Sequence, residues 1–388
     1  PEVGAAYERA RELCNQLDDP SLLGTVLGGS WIYHLARAEF GTAREMADRM
    51  LEIGQQTQDP AILAPGHHGL GQVLFHTGEF EAARRHLEEA YDLFTGRLPA
   101  AADPIRSVQD GRVISLGFLA FCLWHLGYPD QAIRKAQEAL ALARELSHPF
   151  TLAYSLFFVA SLHGYRGEHA RVHPHNEEML ALSLEHGFPV FVAGGMFVRI
   201  FMSLAQGTVP LTEGIARIRQ TLETYRSTGG VSGLPMLLAV LSEVHMGAGQ
   251  VDEAKSSLTE ALAVAKKTGE RRYDAILSLA GGNLLLGEAG RLNNADAQRE
   301  KIAQAEARLS HAIEMASRQG AKSLELKAVT SLCRAWQRQG RREEARKRLA
   351  EVYGWFTEGF DTADLAAARA LLEELAPRDE KQAPRRKR

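Results

Sequence analysis

The chain has 388 residues, a formal net charge of −3, 45% hydrophobic and 24% charged residues, the composition of a soluble globular protein. No apolar run approaches the roughly 18 to 20 residues needed to span a bilayer, and the start carries no signal-peptide arrangement. The three cysteines Cys14, Cys122 and Cys333 lie far apart; they read as small core residues in a reducing compartment, which implies a cytoplasmic location.

Taken in chain order, Tyr7 to Leu17 reads as the second helix of a pair closed by Asp19-Pro20, so the chain begins midway through a repeat and is expected to be a piece of a longer polypeptide. Leu22 to Ala36 is mostly apolar, as an inner helix would be, and Ala38-Glu39-Phe40 to Ala43 makes a turn. The same turn returns as Gly78-Glu79-Phe80 to Ala83, Gly127-Tyr128-Pro129 to Ala132, Gly249-Gln250-Val251 to Ala254 and Gly340-Arg341-Arg342 to Ala345, with weaker copies at Gly167-Glu168-His169 and Gly207. From 38 to 78, 127 to 167, 167 to 207 and 207 to 249 the steps are 40, 40, 40 and 42, whereas 78 to 127 is 49, which places an insertion near Arg97 to Asp103. A further stretched copy lies around Asn293 to Lys301. Pro20, Pro60, Pro104, Pro149 and Pro189 keep the same beat, each opening a helix at the position where a missing N–H costs nothing. Ile62 to His76 and Thr151 to Tyr165 are apolar first helices; Glu81 to Phe94 and Asp252 to Lys266 are amphipathic second helices. No strand-like alternation competes. A period of about 40 residues carried by two markers predicts an all-α solenoid.

These residues resemble the tetratricopeptide repeat family. A small residue in the first helix, a turn glycine, an aromatic two residues on and two alanines seven apart are all matched by Gly71, Gly78, Phe80, Ala83 and Ala90. Ala120, Gly127, Ala132 and Ala139 also fit, with Pro129 in the aromatic slot. The resemblance implies a right-handed superhelix of about nine helical pairs over residues 1–375, the helix 364–375 serving as cap. The family's usual repeat is about 34 residues; the longer one here is similar to arrays found behind bacterial signalling ATPases. Gly354 to Thr362 with Asp364-Leu365 also resembles the ending of AAA-type or STAND ATPase and adenylate cyclase fusion regulators. Residues 376–388 read as a basic disordered tail.

No catalytic constellation is evident, and no cofactor is expected. The phosphate loop Gly-x-x-x-x-Gly-Lys-Ser/Thr is missing, Gly229-Gly230-x-x-Gly233 reads as an interhelical loop, and Gly281-Gly282 as a close-packing point. His169, His173, His175 and Glu177 have one metal-like spacing, but Pro174 is expected to interrupt the helix and leave a surface turn. The basic residues Arg341, Arg342, Arg346, Lys347, Arg348 and Arg385 to Arg388 are confined to the C-terminal end, so nucleic acid is a poor fit.

The concave face lined by first helices is the expected site. Projecting the family's groove positions selects Gln72, Phe75, Phe121, Trp124, Phe157, Ser161, Phe197, Phe201, Glu243, Met246, Arg334 and Gln337, with an aromatic middle suited to a partner protein or peptide segment. The function implied is a non-catalytic interaction or sensor module in a bacterial regulator, the partner including the domains upstream. The alternative is a small-molecule effector receptor in which Ser161 and His163 beside Phe157 supply polar groups. Neither reading involves a membrane or a metal.

Overall fold

Proline and aspartate start several helices of this protein, and glycine ends several. The computed structural model describes residues 2–17, 19–96 and 109–377. Asp19 accepts hydrogen bonds from Ser21 and Leu22 N–H at the start of α2 (Pro20–Ala36), and Asp59 accepts from Ala61 N–H at the start of α4 (Pro60–Thr77). These are the backbone donors that a helix cannot satisfy internally. Gly78 closes α4 with φ +83°, and its neighbour Glu79 N–H returns to Leu74 O at 2.8 Å. Gly127, Gly167, Gly249 and Gly340 repeat that left-handed conformation, while Ala38 adopts it at φ 57° without the freedom of glycine.

The helices pair in sequence. After α1 (Glu2–Leu17), the pairs are α2 with α3 (Phe40–Thr57), α4 with α5 (Phe80–Gly96), α6 (Gly111–His125) with α7 (Pro129–Leu146), and α8 (Pro149–Arg166) with α9 (His169–His186). They continue as α10 (Pro189–Ala205) with α11 (Leu211–Ser227), α12 (Leu234–Gly247) with α13 (Val251–Thr268), α14 (Asp274–Ala289) with α15 (Ala295–Arg318), and α16 (Lys322–Arg338) with α17 (Arg342–Tyr353). The last described helix, α18 (Ala363–Leu375), buries Leu365, Ala368, Leu371 and Leu375 and packs on α16 and α17. Among the described residues there are eight complete pairs and no strand. Small residues bring partners together: a Cβ on Gly71 of α4 would stand 2.7 Å from Leu87 Cγ of α5.

First helices also stack on one another, α2 on α4, α4 on α6, α6 on α8, α12 on α14, α14 on α16 and α16 on α18, which makes the right-handed solenoid. Contact between α10 and α12 is marginal. The loop holding Gly229, Gly230 and Gly233 separates these pairs, and Tyr225 Oη donates to Ser232 O across it.

Two local expectations change, and a third lies outside the described residues. The helix α9 runs uninterrupted through Pro174, because only the bond from Pro174 to Ala170 O is lost and the exposed Ala170 leaves its carbonyl to water. The extra length near residue 293 becomes additional turns of α15, the longest helix at 24 residues. The segment expected to insert at 97–103, Pro104 as helix opener and the tail from 378 onward lie outside the described residues; α6 begins at Gly111, capped by Asp110.

The superhelix also closes on itself. His76 at the end of α4 meets Glu270, 194 residues away, at 3.2 Å. Ser323 at the start of α16 donates to Trp124 O across 199 residues at 2.6 Å, and Arg166 at the end of α8 pairs with Asp361 across 195 residues at 3.0 Å. Divided by a repeat of about 40 residues, each separation is five repeats. One superhelical turn therefore takes five repeats, and the second turn rests edge to edge on the first.

Candidate functional site

Closure decides which of the expected groove residues reach solvent. Gln72, Phe75, Phe121, Trp124 and Phe197 are buried. Phe75 lies among Phe80, Phe118, Phe121 and His125, with the Arg272 guanidinium 4.9 Å from its ring centre. Phe121 packs on Phe157, Phe158 and Tyr165, and Trp124 stacks on Tyr165 at 5.6 Å. The Gln72 and Gln109 amide nitrogens lie 2.6 and 3.3 Å from His68 Nε2, so His68 Nδ1 donates to Ser115 Oγ at 2.8 Å. Burial pushes the His68 imidazole down to about 3, which keeps it neutral. The first helices α4 and α6 are covered by neighbouring first helices, by their own partners and by the edge of the next turn at the Arg271–Tyr273 turn and α16. Positions that would face an open groove here face protein.

The remaining expected residues are less buried. Phe157 and Ser161 of α8, Phe201 of α10 and Met246 of α12 are half-buried, and Glu243 of α12 is open to solvent. Protein surrounds Glu243 closely enough that desolvation raises its carboxyl pKa, a rise opposed by the positive charge of Lys327 on α16. Among the described residues Glu243 makes no hydrogen bond or ion pair. Further along, Arg334 is exposed and Gln337 donates to Glu374 at 3.0 Å. His163, expected to face a ligand beside Ser161, is buried, its Nδ1 2.6 Å from Glu168 Oε2.

One cluster had no signature in the sequence. The turn Arg271–Tyr273 follows α13 and carries Arg272 into the aromatic interior. Glu270 accepts from Arg272 Nη2 at 2.7 Å, Ser232 Oγ at 3.0 Å and Gly233 N at 3.1 Å, and lies beside His76. Burial alone would raise the Glu270 carboxyl, but the Arg272 charge and the surrounding donors outweigh it and hold it at about 2. A tripeptide Glu-x-Arg in a helix connection resembles any surface turn, so only its partner 194 residues away gives it meaning.

Elsewhere the chemistry is structural. His173 Nδ1 lies 3.9 Å from Glu177, and His175 stacks on His163; among the described residues no group of three or more His, Cys, Asp or Glu is placed to hold a metal ion. Cys14, Cys122 and Cys333 are buried, and burial pushes the Cys333 thiol up to about 12. An outer cleft of about 260 Å³ is floored by Leu222, Leu238 and Leu241, but its rim is bridged by the Arg226 pairs with Glu223 and Glu260. No described helix is long and apolar enough to cross a membrane.

Comparison with known proteins agrees with this architecture. The tetratricopeptide repeat family model matches residues 64–89 and 328–351, which covers α4 with α5 and α16 with α17. An uncharacterized protein of Rhizobium meliloti (strain 1021) is 24% identical over 306 residues, 78% of this chain and 28% of that protein, so the chain spans little more than a quarter of the relative's length. Among solved structures, a Rap protein complexed with Competence and Sporulation Factor aligns at TM-score 0.59 and 13% identity, over 97% of this chain and 95% of that one. The Rap conjugation gene regulator of plasmid pLS20 in complex with the Phr* peptide aligns at 0.53 and 12%, over 97% and 96%. Cut9-Hcn1 of the APC/C aligns at 0.52 and 14%, over 95% and 59%. At these identities the likeness is one of fold, a tetratricopeptide-like solenoid.

Proposed function

We propose that this array is a non-catalytic binding module that takes a peptide segment of a partner on the inner faces of α8, α10 and α12. The observation that carries the reading is Glu243: among the described residues it has no hydrogen-bond or ion-pair partner, desolvation disfavours its charged form, and its helix α12 also carries half-buried Met246 and follows α8 and α10, which carry half-buried Phe157 and Phe201. A cation on an extended segment would relieve that cost while its apolar side chains cover the rings. Ser161, half-buried on α8, supplies a hydroxyl, and Gln337 of α16 reaches Glu374 of α18. Two solenoids of the same fold are described in complex with a peptide or factor, which supports a peptide-sized occupant. The small-molecule alternative loses half of its polar pair, because His163 is committed to Glu168.

The reading extends to a cytoplasmic regulator of bacterial ATPase or cyclase type in which the array senses a partner for domains elsewhere in the polypeptide. The 28% share of the Rhizobium relative is compatible with that setting. Selection of short peptides against the purified array, followed by titration calorimetry, tests the site. Binders rich in Lys or Arg should weaken at least tenfold with Glu243→Gln and with Phe201→Ala while the melting temperature holds. Binders indifferent to both substitutions would remove the site, and turnover of a nucleotide or ester abolished by a point substitution would remove the non-catalytic assignment.

A further inference from the structure

The edge where the second superhelical turn meets the first is not uniform. Its Glu270 and Ser323 contacts are buried. The third contact is different. The loop 354–362 between α17 and α18 lies on the junctions before α7 and after α8; Phe356, Gly359 and Thr362 in it are buried, whereas Trp355, Phe360 and Asp361 are exposed.

This loop completes elements far from it in sequence. The helix α7 starts after Tyr128, whose side chain makes no capping bond; Glu358 Oε1 accepts instead from Asp130 N at 2.9 Å and Gln131 N at 3.0 Å. A carboxylate at a helix start satisfies orphan N–H groups and faces the positive end of the helix dipole. Gly359 N donates to Asp130 Oδ2 at 3.0 Å, and only a residue without Cβ fits there, since one would stand 2.0 Å from Pro129 Cγ. Arg166, itself buried, donates to Asp130 Oδ1 at 2.8 Å, to Glu168 Oε1 at 2.7 Å and to both carboxylate oxygens of Asp361 at 3.0 Å. The Trp355 ring lies 5.5 Å from Tyr128, with Lys322 Nζ 5.7 Å from its centre.

We propose that the loop 354–362 is a releasable clasp: it holds α18 on the first superhelical turn, and its release opens that end of the edge while the buried contacts at Glu270 and Ser323 act as the pivot. The asymmetry of burial carries the proposal. Ion pairs reaching a side chain as exposed as Asp361, at 71%, are screened by salt, whereas the Glu270 contacts have no solvent to exchange with. Glu358 joins the two turns through bonds that α7 could replace with water, so the clasp can let go without unfolding either element.

The clasp is read without a ligand, so its failure is separate from failure of the binding site. Spin labels at Arg134→Cys on α7 and Arg369→Cys on α18, with the three natural cysteines buried, report the distance across the edge. The labelled protein should give one narrow distribution at low salt. Glu358→Gln with Asp361→Asn, and independently about 1 M salt on the unsubstituted clasp, should add a longer, broader population while far-UV dichroism stays unchanged. A narrow distribution that persists in both arms would overturn the proposal. So would loss of helicity in the double variant together with an unmoved distance in salt, because the loop would then be structural support.

Discussion

The first half of the solenoid, α2 to α9, and the second half, α10 to α18, share one repeat geometry but are packed with different material. In the first, Phe75, Phe118, Phe121, Phe158 and Tyr154 form a continuous lattice of ring contacts that ends on Phe191 at the start of α10, interleaved with the buried His68 and His76 and the half-buried His125. In the second, separate aliphatic clusters around Leu258 and Leu309 fill the pairs, supported by ion pairs such as Glu288 with Lys255 and Lys301, and Arg341 with Glu306. The rings that suggest a binding groove in the sequence are therefore the packing of the first half. The candidate surface sits where that lattice thins, between α8 and α12, beside the marginal α10–α12 contact.

Single core deletions test this contrast most strongly. Phe158→Ala, at a fully buried ring that touches Phe118, Phe121 and Tyr154, should cost about 3 to 5 kcal/mol, and Leu258→Ala about 2 to 3 kcal/mol. Urea unfolding followed by probes in each half should show Phe158→Ala moving the first-half transition and Leu258→Ala the second, as neighbour-limited coupling predicts. Equal shifts in both halves would erase the distinction.

A glycine pair gives a smaller and sign-changing effect. A Cβ on Gly117 would stand 2.1 Å from the Phe158 ring, so Gly117→Ala should destabilise by about 1 to 3 kcal/mol. On Gly281 the nearest atom is Arg308 Nε at 3.1 Å, on a side chain free to move. Gly281→Ala should stabilise by up to about 1 kcal/mol through helix propensity. Calorimetry on both variants checks the opposition; two losses of similar size would show the second half packed as tightly as the first.

Acid should separate the halves last and most gently. Burial lowers His67 to about 4, and His68 and His125 to about 3. The unfolded chain protonates its histidines below about 6.5 while these stay neutral in the fold. Stability is then undiminished above that pH and declines as pH falls from about 6.5 toward 3. The Glu270 carboxylate adds its own loss only below about 4.5, toward its folded value of about 2. Between pH 7 and 5 the first-half transition should fall by several degrees and the second-half transition by less, and His125→Leu should flatten the first-half slope. Parallel slopes in wild type would contradict the assignment of these imidazoles as desolvated neutral groups.

The sequence by itself determined the repeat. Gly78, Gly127, Gly167, Gly249 and Gly340 ended helices where their spacing placed them, Pro20, Pro60, Pro149 and Pro189 opened others, and Ala83 and Ala90 became buried contacts inside a hairpin. All of these act within a few residues of the chain, through caps, backbone angles and pair packing, so a linear pattern carries them. Only the tertiary structure decided the number of repeats per turn, and with it the burial of Gln72, Phe75, Phe121, Trp124 and Phe197, the exposure of Glu243, and the meeting of Glu270 with His76 and of Arg166 with Asp361. Superhelical pitch accumulates from small rotations between successive repeats. A few degrees per repeat determine whether residues about 195 apart touch or stand clear, and no local motif records a sum of that kind.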